Sequence, residues 1–237
     1  MSPDTKNAKK PISKVSAKPS LRVSPTLLHE RELGAPGQRI AGVDEVGRGC
    51  LAGPVVAGAV ILPELFFEGS GVPAELLEVR DSKLLSAETR ERLVPWIQKY
   101  ALAWAIGEAS VEEIDEINIY HAAHLAMVRA VKKLSVRPDI ALIDGNALPK
   151  GLIEWGVKGR PLVKGDMKSL SIACASVLAK VHRDAILDEY ESLYPGYGFG
   201  AHKGYSTPIH QRALKSLGAL SVHRRSFGPV AEALGLR

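Results

Sequence analysis

Four carboxylates stand where a folding chain has most reason to avoid them. Asp44 and Glu45 interrupt the apolar run of residues 39–46, Asp144 closes that of residues 139–144, and Asp166 follows a third short run at residues 160–164. A carboxylate inside or at the end of a buried strand is costly unless it is paired or bound to a metal. Taken singly, each acid also suits a surface or a turn, and Asp144-Gly-Asn is an ordinary turn signal. Together, three strand ends arriving at one rim of a sheet would gather all four. Like charges that close repel, so such a cluster calls for divalent cations. Oxygen-only donors without a nearby His or Cys pair favour Mg²⁺ or Mn²⁺ over Zn²⁺. Two such ions about 4 Å apart suit phosphodiester hydrolysis. Neighbouring strand residues point to opposite faces, however. Either the strand bulges at Asp44-Glu45, or one of the two offers its backbone carbonyl or works from the other side.

A glycine loop follows directly: Gly47-Arg48-Gly49-Cys50-Leu51-Ala52-Gly53. Its G-x-G-x-x-x-G spacing, the acids before it and the strand-like run after it disfavour a dinucleotide site and hence an oxidoreductase. The better reading is a backbone that another backbone approaches within hydrogen-bonding distance, with Arg48 adding charge. A tight turn carrying a surface arginine is the plainer alternative. Cys50 and Cys174 read as small core residues.

These residues need elements to position them. Strands are expected at residues 39–46, 55–62, 102–110, 139–144 and 160–164. Helices are expected from Ser86 through residues 89–99, with Pro95 as a weak point, and at 111–117, 120–134 and 169–193. Small residues in the first half of the last helix let its backbone approach the sheet closely. Three consecutive strands, then helices, then strand–strand–helix describe a mixed-sheet α/β domain. The final 40 residues read as loop and short helix.

The chain of 237 residues has a formal charge of +5. Residues 1–22 alone carry +5, residues 23–149 carry −6 and residues 150–237 carry +6, with four of the seven histidines in the last segment. An acidic half facing a basic half fits a metal site beside an anion-binding surface, or plain surface charge. Residues 1–37, with five prolines and no apolar period, read as a disordered basic tail. That leaves one domain over residues 38–237. No apolar run approaches the roughly 20 residues that span a bilayer. Two cysteines are too few for a disulfide framework and point to a reducing, cytoplasmic setting.

Residues 40–56, Ile-Ala-Gly-Val-Asp-Glu-Val-Gly-Arg-Gly-Cys-Leu-Ala-Gly-Pro-Val-Val, are similar to the opening motif of bacterial ribonuclease HII. So are Asp81-Ser-Lys, Ile143-Asp-Gly-Asn146, Lys164-Gly-Asp166, the Ser-Ile-Ala-Cys-Ala-Ser-Val-Leu-Ala-Lys-Val run of residues 171–181, His202-Lys-Gly-Tyr205 and His223-Arg-Arg-Ser-Phe-Gly-Pro229. They occur in the family's order over residues 39–235. The resemblance implies a ribonuclease H-like fold, with a mixed five-stranded sheet flanked by helices and a small helical extension over about residues 194–237. It implies an endoribonuclease that cuts RNA in RNA/DNA hybrids and incises 5′ of single ribonucleotides in duplex DNA, leaving 3′-hydroxyl and 5′-phosphate ends. It further implies two Mn²⁺ or Mg²⁺ ions held by Asp44, Glu45, Asp144 and Asp166. Gly47, Arg48 and Gly49 resemble the loop that reads the ribose 2′-hydroxyl, and Tyr205 the tyrosine that stacks on the neighbouring sugar. Lys83, Lys164, Lys203 and Arg225 read either as phosphate contacts or as solvated cations. A monomer is expected, and residues 229–237 show no clear sliding-clamp motif. Two departures stand out: Leu84 where a second lysine is more common, and Cys174 for alanine. The sister ribonuclease HIII lacks the Gly-Arg-Gly form and carries an extra N-terminal domain, for which the tail is too short and polar. The alternative, a nucleic-acid-binding module without chemistry, predicts a lost carboxylate; all four are present.

Overall fold

The computed structural model describes residues 24–236; residues 1–23, which hold most of the expected basic tail, lie outside the described residues. Residues 24–37 correct that expectation. They form a short helix, α1 (Leu28–Glu32), and dock on the domain. A buried carboxylate anchors them, beside the apolar packing of Leu27, Leu33 and Ala35. Glu30 is fully buried and its Oε1 accepts hydrogen bonds from Ser169 Oγ (2.6 Å), Ser171 Oγ (2.6 Å) and Ser171 N (3.0 Å). A carboxylate there caps the long helix that begins at Leu170 and meets the positive end of its dipole. Thr26 adds a two-bond bridge, its N–H donating to Lys168 O and its carbonyl accepting from Leu170 N.

Five strands follow: β1 (Ile40–Val46), β2 (Val55–Ile61), β3 (Ala103–Ala109), β4 (Ile140–Asp144) and β5 (Lys158–Leu162). Their order across the sheet is β3-β2-β1-β4-β5. The first three pair antiparallel, and β4 and β5 join parallel to β1. The sheet is therefore mixed and five-stranded, with three parallel strands ending at one rim. β5 lies two residues before its expected position. Its edge place explains the difference, since one partner supplies its whole ladder and the alternation is weak.

Helices cover both faces. α2 (Ala87–Tyr100), capped by Ser86, and α5 (Leu170–Leu193), capped by Ser169, lie on one face. α3 (Val111–Lys132) lies on the other, and a short α4 (Lys150–Glu154) leads into β5. The two helices expected at 111–117 and 120–134 are the two arms of α3. Asn118 breaks them at φ 65°, and its side chain accepts from the N–H groups of Tyr120 (2.9 Å) and His121 (3.3 Å) to cap the second arm. The small residues of α5 allow the close approach expected of them. A Cβ on Gly58 would lie 2.3 Å from the Ala175 carbonyl oxygen, so helix and sheet backbones touch. The C-terminal extension holds α6 (Phe199–His202), α7 (Pro208–Leu217) and α8 (Gly228–Ala233).

Candidate active site

The parallel strands decide where the acids meet. Val43 pairs with Ile143, so the next residues, Asp44 and Asp144, stand side by side at the ends of β1 and β4. Residues 40, 142 and 162 pack with Ile172 of α5, whereas 41, 43, 141 and 143 pack with the α3 layer. By that alternation Asp44 and Asp144 share the α5 face. Asp166 comes from the turn after β5 rather than from its end, in the single 3₁₀ turn Gly165–Met167. Lys164, with φ 57°, reverses the chain there. Gly165 N donates to Asp144 Oδ1 at 2.6 Å and ties that turn to β4.

Glu45 resolves the question posed by its position. The register of β1 against β2 runs unbroken through Asp44, Glu45 and Val46, so the strand does not bulge. Glu45 works from the opposite side of the sheet and accepts a hydrogen bond from Arg48 Nη1 at 3.1 Å. The rim brings its charge close to the others.

The electrostatics describe a site short of positive charge. Burial pushes the Asp44 carboxyl well above its ordinary range, and the charges of Glu45 and Asp144 push it further, against the nearby Ser176 hydroxyl. Burial likewise raises Glu45, against Arg48. Asp166 rises to about 6 through burial first, then the charges of Asp144 and Asp81. Lys83 answers them. Burial alone would lower it, yet Asp44, Asp81 and Asp166 hold it above its usual value. Among the described residues no three acidic, His or Cys side chains close into a ready-made metal cage. Asp44, Asp144 and Asp166 at one rim with Glu45 beside them, oxygen-only donors of which three are disfavoured as anions in the bare protein, nevertheless fit hard divalent cations. A cation would offset the burial and the repulsion that raise them.

The glycine loop borders this rim and is tied to the C-terminal extension. Cys50 forms a β-bridge with Tyr205, and Ala52 with His223. Leu51 N donates to Gly204 O (2.8 Å), Gly53 N to Val222 O (2.9 Å), and Leu51 O accepts from Arg224 N (2.8 Å). Tyr205 therefore stands against the loop, 40% exposed. Arg48 and Gly49 are exposed residues, and their amides have no acceptor among the described residues.

The expected cations are not equivalent. Lys83 lies near enough for Asp44, Asp81 and Asp166 to raise it, without an ion pair to any of them. Lys164 is exposed on the turn beside Asp166. Lys203 spends its ammonium on Asp188, and its role at the loop is through its carbonyl. Arg225 is exposed, while its backbone N–H donates to Asp115 (2.9 Å). Cys50 and Cys174 are both buried core residues.

Two features escaped sequence reasoning. Arg183 and Arg224 are both 0% exposed and hydrogen-bonded beneath the loop. A buried histidine chain supports Tyr205. Leu220 N donates to His223 Nδ1 (2.9 Å), so the proton of neutral His223 sits on Nε2 and is donated to His210 Nε2 (3.0 Å). His210 Nδ1 in turn donates to the Tyr205 carbonyl (2.9 Å). The available signal was the density of His, Lys and Arg in residues 202–225, without its geometry.

Comparison with known proteins agrees with this geometry. The Ribonuclease HII family pattern matches residues 41–230. The chain is 52% identical to Ribonuclease HII of Myxococcus xanthus over 217 residues, which is 91% of this chain and 70% of the relative. It is 54% identical to Ribonuclease HII of Nitrosococcus oceani over 195 residues, 82% of this chain and 90% of the relative. Among solved structures, ribonuclease H2 of Pyrococcus horikoshii superposes with a TM-score of 0.69 at 26% identity, covering 84% of this chain and 98% of that one.

Proposed function

The chain belongs to the ribonuclease HII family of metal-dependent endoribonucleases, and on that premise we propose that it cleaves the RNA strand of RNA/DNA hybrids and incises 5′ of single ribonucleotides in duplex DNA. The observation that carries this reading is the junction of two unlike surfaces. A rim holding Asp44, Asp144 and Asp166 adjoins a loop with two free amide donors and an exposed tyrosine. The first can hold cations on a phosphate. The second can distinguish one sugar from another.

Two Mg²⁺ or Mn²⁺ ions held by Asp44, Glu45, Asp144 and Asp166 would supply an activated water and neutralise the leaving 3′-oxygen. The chain's own residues do the rest. A single 2′-hydroxyl is the only group that marks a ribonucleotide in DNA, so recognition needs donors placed at the ribose. The free amides of Arg48 and Gly49 supply them. Tyr205 offers a flat apolar face to the adjacent sugar. Lys83, beside the carboxylates, is suited to a phosphate oxygen. A contact required in the transition state makes selection appear as rate rather than as binding. The products are a 3′-hydroxyl and a 5′-phosphate. No helix among the described residues is long and apolar enough to cross a membrane, and we place the enzyme in the cytoplasm as a monomer.

The test is Asp44→Asn on a duplex with one embedded ribonucleotide, with and without Mn²⁺. The variant should keep the parent's circular dichroism and lose cleavage by at least about a thousandfold, as loss of a metal ligand demands. Near-parental cleavage would remove Asp44 from the site. Cleavage by the parent in EDTA would remove the metals.

A further inference from the structure

We propose that Arg183 and Arg224 are the positioning residues of the ribose-reading loop, and that its two glycines face opposite ways: Gly47 makes room for Arg183, Gly49 for the substrate. The role given to the substrate here rests on the reading above, that residues 47–49 meet the ribose.

A fully buried guanidinium is ordinarily paired with an acid. These two are not. Arg183 donates to the carbonyls of Ala52 (2.9 Å), Pro54 (3.1 Å) and Lys203 (2.9 Å). Arg224 donates to those of Arg48 (3.0 Å), Gly53 (3.0 and 2.9 Å) and Pro54 (3.2 Å). Every acceptor is main chain. The carbonyls lie at several points along the loop, beyond the reach of a single ammonium, so each set needs a rigid fork of donors. Burial, with Arg183 beside it, lowers Arg224 only to about 10, so it stays charged at neutral pH.

The consequence follows from the planar trans peptide. In such a unit the C=O of one residue and the N–H of the next point in opposite directions. Arg224 draws the Arg48 carbonyl inward, so the Gly49 N–H must point outward. The arginine aims a donor that it does not touch.

The glycines then separate. Gly47 has φ 93°, and a Cβ there would lie 2.2 Å from Arg183 Nε. Its missing side chain is an internal requirement. Gly49 lies outside the left-handed region, and a Cβ there would meet no heavy atom within 4 Å. Nothing in the protein forbids a side chain at 49. A side chain there would enter space that the protein leaves open.

The experiment compares Gly49→Ala, Gly47→Ala and Arg224→Lys with the parent, in Mn²⁺, on a duplex with one ribonucleotide. Melting temperature, kcat, KM and hydrogen exchange of the Cys50 and Leu51 amides, which donate to Gly47 O and Gly204 O, are read together. Gly49→Ala should melt with the parent and lose at least about tenfold in kcat, with KM changed less than about threefold. Gly47→Ala should lower the melting temperature by several degrees, from backbone strain and the Arg183 clash. Arg224→Lys keeps the charge but not the fork. It should lose about tenfold in kcat and exchange those two amides at least about tenfold faster. Gly49→Ala within twofold of the parent overturns the assignment of that glycine. Arg224→Lys with parental exchange overturns the role of the arginine. If Arg224→Lys does not fold, the contrast between the two glycine variants decides. A parent that leaves the duplex uncut refutes the functional reading instead, and exchange still reports whether Arg224 sets the loop.

Discussion

Replacing Asp166 with asparagine should stabilise the metal-free protein while it destroys activity. The side chain is 8% exposed, and its carboxyl is raised from 3.8 to about 6 by burial and by Asp144 and Asp81. The folded state thus binds this proton more tightly than the unfolded chain does. Ionising it at pH 7.5 therefore weakens folding by about 3 kcal/mol, at about 1.4 kcal/mol for a tenfold difference in proton affinity. That penalty is complete above pH 6 and fades as the pH falls from 6 towards 3.8. Asparagine keeps the shape and carries no charge at any pH. In EDTA at pH 7.5 the variant should melt about 6–12 °C above the parent, given about 2–4 °C per kcal/mol for a domain of this size. At pH 4 the gap should nearly close. Saturating Mn²⁺ should also close it, because a hundredfold excess over Kd returns about 2.7 kcal/mol to the parent and less to a variant missing one ligand. Melts of both proteins at the two pH values, with and without Mn²⁺, measure all three effects. A variant that melts at or below the parent in EDTA at pH 7.5 would falsify the argument, as would a gap that persists undiminished at pH 4.

Two more outcomes follow from the same geometry. His223 is fully buried and pushed down to about 4 by burial, then by the charge of His210. Its stabilising share is therefore complete above pH 6.5 and is lost as the pH falls from there towards 4, by about 3 kcal/mol. His223→Gln retains a donor and an acceptor but does not titrate, so urea melts should show the parent-minus-variant stability falling by that amount between pH 7 and pH 4; a flat difference would count against the histidine chain. Tyr205→Ala should reduce kcat on single-ribonucleotide duplexes by at least about tenfold with little change in duplex affinity, and equal turnover in the two proteins would remove the stacking role.

Much of the site was legible because its signals are local. Apolar alternation marks strands, and an acid inside one is an anomaly visible without coordinates. The opposed directions of Asp44 and Glu45 also followed from strand geometry, and the unbroken register chose among the options. What stayed hidden depends on partners far along the chain. Glu30 looks like one more polar residue in a proline-rich lead, yet its meaning lies 139 residues away at Ser169. For that reason the domain starts earlier than its composition suggests. Arg183 sits on a helix whose small residues dominate its pattern, and its acceptors are carbonyls, which every residue possesses and no sequence distinguishes. Arg224 lies inside a recognisable motif, but nothing local separates it from its neighbour Arg225, the expected phosphate contact; burial separates them, and burial is a tertiary property.

The charge polarity of the sequence takes on a different meaning in this light. The basic half does not simply face the phosphates. Two of its cations are sealed beneath the glycine loop and pair with none of the rim carboxylates. Pairing them would neutralise the acids and occupy the oxygens that a metal needs. It would also let the loop carbonyls go and turn the Gly49 amide. Each guanidinium is satisfied by three carbonyls and forms no ion pair among the described residues. Asp44, Glu45 and Asp166 are left destabilised as anions. Opposite charges are thus kept apart in this fold by backbone that satisfies one of them.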